Sequence, residues 1–371
     1  MTTAGPHQGG NAPLGGSDSH AAEPRPVRER RTQGGKVTRR PVHGVLLLDK
    51  PLAWSSNDAL QKAKWLLRAE KAGHTGTLDP LATGVLPLCF GAATKFSQLQ
   101  LDADKTYEAR AQLGVKTSTG DAEGEVIEER PVKVTEADLQ NILPRFTGTI
   151  SQLPPMHSAL KKDGRALYDY ARAGIDVERC ARTVTIYELK VSLKNIDGAS
   201  LALQMRVKCS KGTYIRTLAE DIGDALGCGA HLTALRRIET GGFSVSKCVR
   251  LAELEAMTDE ERLNRLMPVA SLLRNHTVVL LDAENAGRFL SGVRRRGDWP
   301  DNEKVVVYGP STDAGQAPDA LLGTARIKAG ELIPGRLLCP SEIEQILNDC
   351  RTEQRAAQFC PELVKKVNHE L

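Results

Sequence analysis

Long hydrophobic runs are absent from this chain of 371 residues, in which unbroken aliphatic runs such as Val45 to Leu48 stop at four residues. A membrane helix needs about 20 consecutive apolar residues, so none is predicted. No apolar stretch follows the amino terminus in the way that a secretion signal would. We therefore expect a cytoplasmic protein with no membrane partner.

Clustered cysteines are also absent, because the eight cysteines are scattered and none forms a C-x-x-C pair. This spacing favours reduced thiols over a disulfide framework or a zinc site. Cys228 and His231 are close enough in sequence to share a metal, but two further ligands are missing nearby. The sequence predicts no metal.

Common nucleotide-binding and hydrolase signatures are missing as well. The chain has no G-x-x-x-x-G-K-[ST] phosphate loop, no G-x-G-x-x-G after a strand, no H-E-x-x-H and no G-x-S-x-G. Nucleoside triphosphates, dinucleotides and zinc are therefore unsupported, and we predict that no cofactor is needed. What remains is a chemistry that one carboxylate, an arginine, a tyrosine and a histidine can perform.

Charge is unevenly distributed along the chain. Residues 1–41 carry seven basic and three acidic side chains, an excess that equals the net charge of +4. The stretch has few large apolar residues, so it cannot bury enough surface to offset the entropy of ordering, and we predict a disordered basic tail over residues 1–42. Two interpretations stay open: an arm for an anionic partner such as RNA, and an ordinary solvated tail.

A glycine-rich segment, Ala72 to Gly84, contains one histidine and one aspartate in the sequence A-G-H-T-G-T-L-D-P-L-A-T-G. Its glycines, together with Pro80, which biases Asp79 towards an extended conformation, disfavour a helix and predict an ordered loop. A carboxylate in such a loop can be a nucleophile, a base, a metal ligand or the cap of a turn. Taken alone, the segment leaves these roles of Asp79 open.

Short apolar runs and helical periodicity predict a mixed α+β fold with a mainly antiparallel sheet. Strands are expected at Gly44–Asp49, Val85–Phe90, Tyr107–Leu113, Thr183–Leu193 and Leu201–Cys209, the last two as a hairpin with Asp197-Gly198 at its turn. Helices are expected after the N-cap candidates Ser55 to Asn57, and over Asp138–Phe146 after a capping box at Thr135.

A second segment with chemical character begins at Gly212, in K-G-T-Y-I-R-T-L-A-E. If it is a strand, Tyr214 and Arg216 project from the same face, and Thr217 with Glu220 then caps a helix. An arginine fixed there can hold the carboxylate of Asp79 by a two-pronged hydrogen bond. The alternative is a surface position for Arg216 and a core position for Tyr214.

The region around the Asp163-Gly164 pair, a tight-turn signal, interleaves basic and aromatic side chains: Lys161, Lys162, Arg165, Tyr168, Tyr170 and Arg172. This mixture suits a nucleic-acid contact surface. A solvated helix with two half-buried tyrosines is the competing interpretation.

Five motifs in this order resemble the bacterial TruB-type tRNA pseudouridine synthases. They are G-V-L-L-L-D-K-P from Gly44, the Ala72 to Gly84 segment, D-K-T-Y from Asp104, K-G-T-Y-I-R-T from Lys211, and L-R-R from Leu235. The resemblance runs from about His43 to Leu338. It implies isomerisation of uridine to pseudouridine at position 55, in the T-loop of tRNA, on a flipped-out base.

The resemblance also implies roles for individual residues. Asp79 matches the nucleophile, Arg216 the residue that orients it, and Tyr107 the tyrosine that stacks on the base and is a candidate for removing the C5 proton. His74 matches the residue that fills the space left by the flipped base. The other matches are Tyr214 and Leu235 in the base pocket, and Lys50 and Pro51 packing beneath the catalytic loop.

The expected organisation is a catalytic domain over residues 43–275, with an RNA-gripping insertion at about 115–174, and a PUA-like C-terminal β domain over residues 276–340. In the family the latter contacts the tRNA acceptor stem, for which Arg294, Arg295 and Arg296 form a phosphate-binding candidate, with a plain solvated turn as the alternative. Residues 341–371 have no counterpart in the family, although Ile343, Ile346 and Leu347 follow a helical pattern.

The expected partner is the T-arm of tRNA, bound by a monomer that needs no guide RNA. Two alternatives stay open: an RNA-binding module that helps tRNA to fold, and a catalytic subunit that depends on a guide RNA. The combination of Asp79, Tyr107 and Arg216 favours the stand-alone enzyme over a module that only binds.

Overall fold

The computed structural model describes residues 38–196, 200–310 and 320–350. Most of the predicted basic tail and the Asp197-Gly198 turn lie outside these residues. The described strands are β1 Gly44–Lys50, β2 Ala72–His74, β3 Ala82–Phe90, β4 Lys105–Leu113, β5 Val115–Thr117, β6 Val126–Glu129, β7 Gly148–Gln152, β8 Lys161–Lys162, β9 Arg165–Ala166, β10 Arg182–Asn195, β11 Leu201–Cys209, β12 Ala230–Thr240, β13 Phe243–Ser244, β14 Val249–Arg250, β15 Thr277–Leu280, β16 Arg295–Arg296, β17 Asn302–Gly309, β18 Ala320–Lys328 and β19 Glu331–Leu337.

The described α-helices are α1 Ser56–Leu66, α2 Gln98–Leu101, α3 Glu136–Ile142, α4 Leu167–Arg172, α5 Ile215–Ala225, α6 Leu251–Ala256, α7 Asp259–Asn264, α8 Ala283–Leu290 and α9 Pro340–Cys350. Short 3₁₀ helices occupy Gly91–Lys95, Leu143–Phe146, Val245–Lys247 and Val269–Leu273. Across the described ranges, no helix has the length and apolar character needed to cross a membrane.

The larger sheet has ten strands, in the order β14-β1-β3-β12-β4-β11-β10-β7, with β2 paired to β3 and β13 paired to β12. Its ladders are antiparallel except for the parallel pairs β1 with β14 and β3 with β12. The predicted hairpin is present as β10 and β11. These features confirm the mixed, mainly antiparallel α+β class. In the centre of the sheet, β3, β12 and β4 lie side by side.

The core follows from the two-residue period of the strands. In β1, Leu46 and Leu48 face a cluster that includes α1 and α5. The alternate residues Val45 and Leu47 face a second cluster, which residues of the C-terminal sheet also join. Both faces of β1 are therefore covered, which explains its continuous apolar sequence.

The smaller sheet has five strands in the order β15-β17-β18-β19-β16, and α8 packs against it. α8 begins after the capping side chain of Asp282, which accepts from the N–H of Asn285. The helical pattern beyond residue 340 forms α9. Its Ile343 contacts the apolar clusters at the junction of the sheets and within the smaller sheet.

Two polar contacts attach α9 to residues that flank strands β1 and β3 of the larger sheet. Lys95 Nζ lies 2.6 Å from Glu342 Oε2, and His43 Nε2 lies 2.7 Å from Gln345 Oε1. His43 Nδ1 accepts from the backbone N–H of Ala92 at 3.0 Å, so Nε2 is the nitrogen that donates to Gln345. The first part of the C-terminal extension is therefore docked.

Two local predictions were wrong. The strand expected from Gly212 is a turn, in which Gly212 has a φ of 79° and the hydroxyl of Thr213 bonds to the carbonyl of Ser210. α5 already begins at Ile215, so Thr217 is a buried helical residue rather than a cap. The loop expected over Ala72–Gly84 is shorter, because its ends pair as β2 and β3.

Candidate active site

The loop that carries Asp79 is held by backbone and buried side-chain contacts. The hydroxyl of Ser56, at the start of α1, accepts from the N–H of Leu78 at 2.8 Å and donates to its carbonyl at 2.9 Å. The N–H of Ala53 donates to the carbonyl of Pro80 at 2.9 Å. These contacts on either side of Asp79 give its backbone a fixed position.

Asp79 pairs with Arg216 across the loop. Arg216 Nη2 lies 3.0 Å from Asp79 Oδ2, and the Asp79 side chain is 45% exposed whereas that of Arg216 is 6% exposed. The carboxylate is thus open to an incoming molecule while its partner is buried in the first turn of α5. Such an arrangement leaves one carboxylate oxygen free to approach an electrophile.

The expected two-pronged bond between these residues is not formed, because a second carboxylate takes the other nitrogen. Arg216 Nη1 lies 3.2 Å from Oδ2 of Asp121, whose side chain is only 4% exposed. The guanidinium also donates to the carbonyls of Thr119 at 3.0 Å and His157 at 2.6 Å. Arg216 is therefore fixed by four partners, and of its two carboxylates Asp79 is open to solvent whereas Asp121 is buried.

Sequence reasoning missed Asp121. Its Oδ1 accepts from the hydroxyl of Thr119 at 2.6 Å and from the N–H of Glu123 at 3.1 Å. An isolated bridge to Leu232 ties it to β12. The local signal is an aspartate after Ser-Thr-Gly, which is typical of any polar turn. Only the three-dimensional fold brings this turn to Arg216.

Tyr107 lies on β4, where Arg237 of β12 is directly opposite in register. Tyr107 is 8% exposed, and burial raises the pKa of its hydroxyl while the cation of Arg237 acts in the opposite direction. The charge of Asp79 also acts on this hydroxyl, which places the two groups in one site. Sequence reasoning gave the L-R-R motif but assigned no role to Arg237.

Lys50 lies beneath the catalytic loop, fully buried. Its ammonium donates to the carbonyls of Pro51 at 2.9 Å, Trp54 at 2.5 Å and Pro80 at 3.5 Å. Burial lowers the pKa of Lys50 to about 8, against the attraction of Asp79. The bond to Pro80 links this cation to the residue that follows Asp79.

The other expected site residues surround this centre. His74 is half-buried on β2, its Nδ1 has no hydrogen-bond partner among the described residues, and burial, followed by the charge of Arg237, lowers its pKa. Tyr214 caps α5, and burial raises the pKa of its hydroxyl, on which Asp79 also acts. Leu235 pairs with Ala82 at the end of the catalytic loop. No direct contact joins His74 or Leu235 to Asp79.

Among the residues that the structure covers, no three His, Cys, Asp or Glu side chains are grouped so that they could hold a metal ion. The centre instead combines an accessible carboxylate, a buried guanidinium and a buried tyrosine hydroxyl. This set supports nucleophilic attack followed by proton transfer.

The fold matches that of a chain in a solved protein complex. A crystal structure of a Cbf5-Nop10-Gar1 complex contains a chain with 25% identity and a TM-score of 0.58, over 83% of this chain and 87% of that one. The mixed sheet with a small C-terminal sheet domain is that of the pseudouridine synthases.

Sequence comparison identifies the family. The N-terminal domain of TruB family pseudouridylate synthases matches residues 64–215, and the C-terminal domain of tRNA pseudouridylate synthase B matches residues 216–274. A protein named tRNA pseudouridine synthase B from Verminephrobacter eiseniae is 64% identical, over 84% of this chain and 93% of its own length. The protein of the same name from Ralstonia nicotianae is 57% identical, over 84% and 98%. The chain belongs to the TruB family, which confirms the resemblance in sequence.

Proposed function

We propose that this protein isomerises uridine to pseudouridine at position 55, in the T-loop of tRNA, with Asp79 as the nucleophile. The observation that carries the proposal is the contact between the exposed Asp79 and the buried Arg216 at 3.0 Å. The name of its relatives, tRNA pseudouridine synthase B, supports tRNA as the substrate class.

The reaction needs no second substrate, because the atoms of the base are only rearranged. Attack of an Asp79 oxygen on the ribose C1′ or on the base C6 forms a covalent bond and splits one difficult displacement into two easier steps. The bond from C1′ to N1 breaks, the base turns, and C1′ bonds to C5. Asp79 is displaced in this step if it was bound to C1′, and leaves afterwards if it was bound to C6. C5 then loses its proton and N1 gains one, which gives pseudouridine.

Arg216 serves this chemistry as a fixed, desolvated cation. Its bonds to Asp121 and to two carbonyls hold it while Asp79 alternates between the charged and the covalently bonded form. A dipole or charge that is already in place does not have to reorganise during the reaction. Asp121 also keeps the site from carrying an excess buried positive charge when Asp79 is consumed.

The remaining residues act on the flipped base in this proposal. Tyr107 stacks on it and removes the C5 proton, while Tyr214 and Leu235 line the pocket. His74 fills the space that the base leaves, which offsets part of the few kcal/mol that unstacking costs. Lys50 and Pro51 support the catalytic loop from below.

Binding of the T-arm is assigned to the insertion at 115–174. Arg172 lies 5.3 Å from the ring centre of Tyr168, and Arg165 lies 4.6 Å from that of Tyr170. These pairs present cationic and aromatic surface, which suits phosphate and base contacts. The relatives named tRNA pseudouridine synthase B are far more similar in sequence than the chain of the Cbf5-Nop10-Gar1 complex. We therefore propose that this protein acts alone and requires no guide RNA.

Replacing Asp79 by Asn tests the proposal. We expect the variant to lose tritium release from an unmodified tRNA transcript labelled with 5-³H-uridine, and to bind that transcript within a few fold of the wild type. Asp102→Asn is the matched control, since Asp102 is 71% exposed and pairs only with Lys211. Turnover by Asp79→Asn would reject the nucleophile assignment.

Two substrate controls sharpen this experiment. A transcript with cytidine at position 55 should release no tritium from that position, and primer extension after carbodiimide treatment should locate the product there in the normal transcript. Activity should persist in a chelator and without nucleotide or guide RNA, because the proposed steps use only side chains. Product at another uridine would reject the positional assignment.

A further inference from the structure

Arg237 is among the largest side chains that are fully buried in the described residues, at 1% exposure. No carboxylate within the described ranges lies at ion-pair distance from it, in contrast to Arg216. Burying a charge without an opposite charge costs several kcal/mol, which hydrogen bonds to carbonyl groups offset only in part. A position that served packing alone would be filled at lower cost by an apolar residue.

The contacts of Arg237 reach three separate parts of the site. Its Nε donates to the carbonyl of Val85 on β3 at 2.8 Å, and its Nη2 donates to the carbonyl of Gly76 in the catalytic loop at 3.1 Å. Tyr107 is the direct partner of Arg237 in the ladder of β4 and β12, and the guanidinium acts on the pKa of its hydroxyl. One guanidinium thus joins β3, the loop of Asp79 and the residue assigned to proton removal.

Two glycines of the Ala72 to Gly84 segment make room for this arrangement. A Cβ at Gly76 would lie 3.3 Å from Arg237 Nη1, and a Cβ at Gly84 would lie within 2.2 Å of the Arg237 carbonyl oxygen. Both glycines also have positive φ, at 76° and 100°. Gly76 therefore leaves room for the Arg237 guanidinium, and Gly84 allows the backbone of β12 to approach β3 at residue 237.

We propose that Arg237 is a positioning residue, which fixes the hydroxyl of Tyr107 relative to the loop that carries Asp79. The inference rests on the proposed function, since it assigns Arg237 to the same reaction. The cation stabilises the phenolate form of Tyr107 and thereby favours removal of the C5 proton. Arg237 makes no contact with RNA, because its side chain does not reach the surface.

A double-mutant cycle measures this connection in single-turnover experiments with 5-³H-uridine tRNA. We expect Arg237→Met to lower the rate of tritium release by about 100-fold, within the range of general-base effects, with the Kd for tRNA changed by less than about 3-fold. In a Tyr107→Phe background the same replacement should have no further effect, because the hydroxyl on which it acts is gone. Arg236→Met, at the adjacent and half-exposed arginine, is the matched control and should retain its rate within a few fold.

The pH profile gives a readout that a merely structural role would not change. The groups that act on Tyr107 are Arg237, Cys209 and Asp79, and of these only Arg237 lowers the pKa of the hydroxyl. Its removal raises that pKa, so the rising limb of the rate against pH should move to higher pH in Arg237→Met. Tyr107→Phe should lack this limb.

Arg237→Lys keeps the test valid if the Met variant does not fold. A lysine ammonium keeps the charge but cannot contact all three partners, so we expect a folded protein with a reduced rate. Effects that multiply in the double variant, or a wild-type rate and pH profile in Arg237→Lys, would overturn the inference alone. A wild-type protein that forms no pseudouridine in tRNA would reject the proposed function and this inference together.

Discussion

The two sheets differ in how far their functional candidate arginines and lysine are exposed to solvent. The ten-stranded sheet encloses Arg237 and Lys50 at 1% and 0% exposure, and Arg216 beside it has a side chain that is 6% exposed. In the five-stranded sheet, Arg294 and Arg296 share the single carboxylate of Glu331 and have side chains that are 64% and 87% exposed. Burying a charged side chain costs free energy of desolvation, whereas an exposed charged side chain keeps its hydration and is screened by salt. The buried charges of the first sheet fit the proposed chemistry, and the exposed arginines of the second fit contact with a polyanion.

The largest effect should come from breaking the buried pair of the first sheet. In Arg216→Met, Asp121 remains buried without its cation, and we expect the free energy of unfolding to fall by about 3–5 kcal/mol. Adding Asp121→Asn should recover part of this loss, because the buried carboxylate left without its cation is then removed. Urea denaturation of the three proteins measures the effect. Arg206→Met, which breaks the exposed pair with Glu108, is the control and should lose at most about 1 kcal/mol. An equal loss would remove the contrast between buried and exposed charge.

The buried ammonium of Lys50 should make stability depend on pH. Because burial lowers its pKa from 10.5 to about 8, the unfolded chain holds a proton between these values that the folded protein does not. Stability relative to Lys50→Met should therefore rise with pH across this window, by about 3 kcal/mol in total. Unfolding titrations of both proteins from pH 7 to 10.5 measure the difference. A difference that stays constant with pH would show that the ammonium is not desolvated.

The smallest effect is expected in the second sheet. The double variant Arg294→Ala, Arg296→Ala should weaken tRNA binding only a few fold and leave the single-turnover rate unchanged. The slope of log affinity against log salt concentration should fall by an amount that corresponds to about one to two phosphate contacts. Glu331→Gln frees both arginines and should change affinity in the opposite direction. Filter binding over a series of salt concentrations measures both variants. A lower single-turnover rate in the arginine variant would contradict the assignment of catalysis to the first sheet and of tRNA binding to the second.

The sequence predicted those site residues whose neighbours in the chain already indicate their chemistry. Turn residues around Asp79 indicated a displayed carboxylate, and the motif around Arg216 suggested its partner, which lies 3.0 Å away. Asp121 and Arg237 were missed because their importance depends on which strands pair. An aspartate in a polar turn and an arginine in an alternating strand are each typical of solvent-exposed positions, until Leu232 and Tyr107 bring them inside. The catalytic roles and the domain boundaries stay predictions.

The sequence predicted strands and helices correctly where the hydrophobic periodicity was clear. The prediction was wrong where a strand pattern and a helix-capping pattern overlapped. Leu201–Cys209 has the predicted strand bounds, and the capping box of Thr135 is present. The segment after Gly212 was misread because the T-x-x-E pattern at Thr217 resembles a helix start, although α5 begins two residues earlier. Docking of α9 was not predictable, since its apolar residues contact clusters formed by distant segments.

The central place of β12 has a consequence for the order in which the chain folds. Arg237 of β12 bonds to Val85 of β3, 152 residues earlier, and β12 also completes the ladder of β4. Contacts so distant in sequence form slowly, because a long loop must close before they contribute. On the ribosome, the catalytic loop and Tyr107 emerge long before the strand that joins them. Pseudouridine formation should therefore begin only after β12 has been synthesised, and a stalled shorter chain should have none of it.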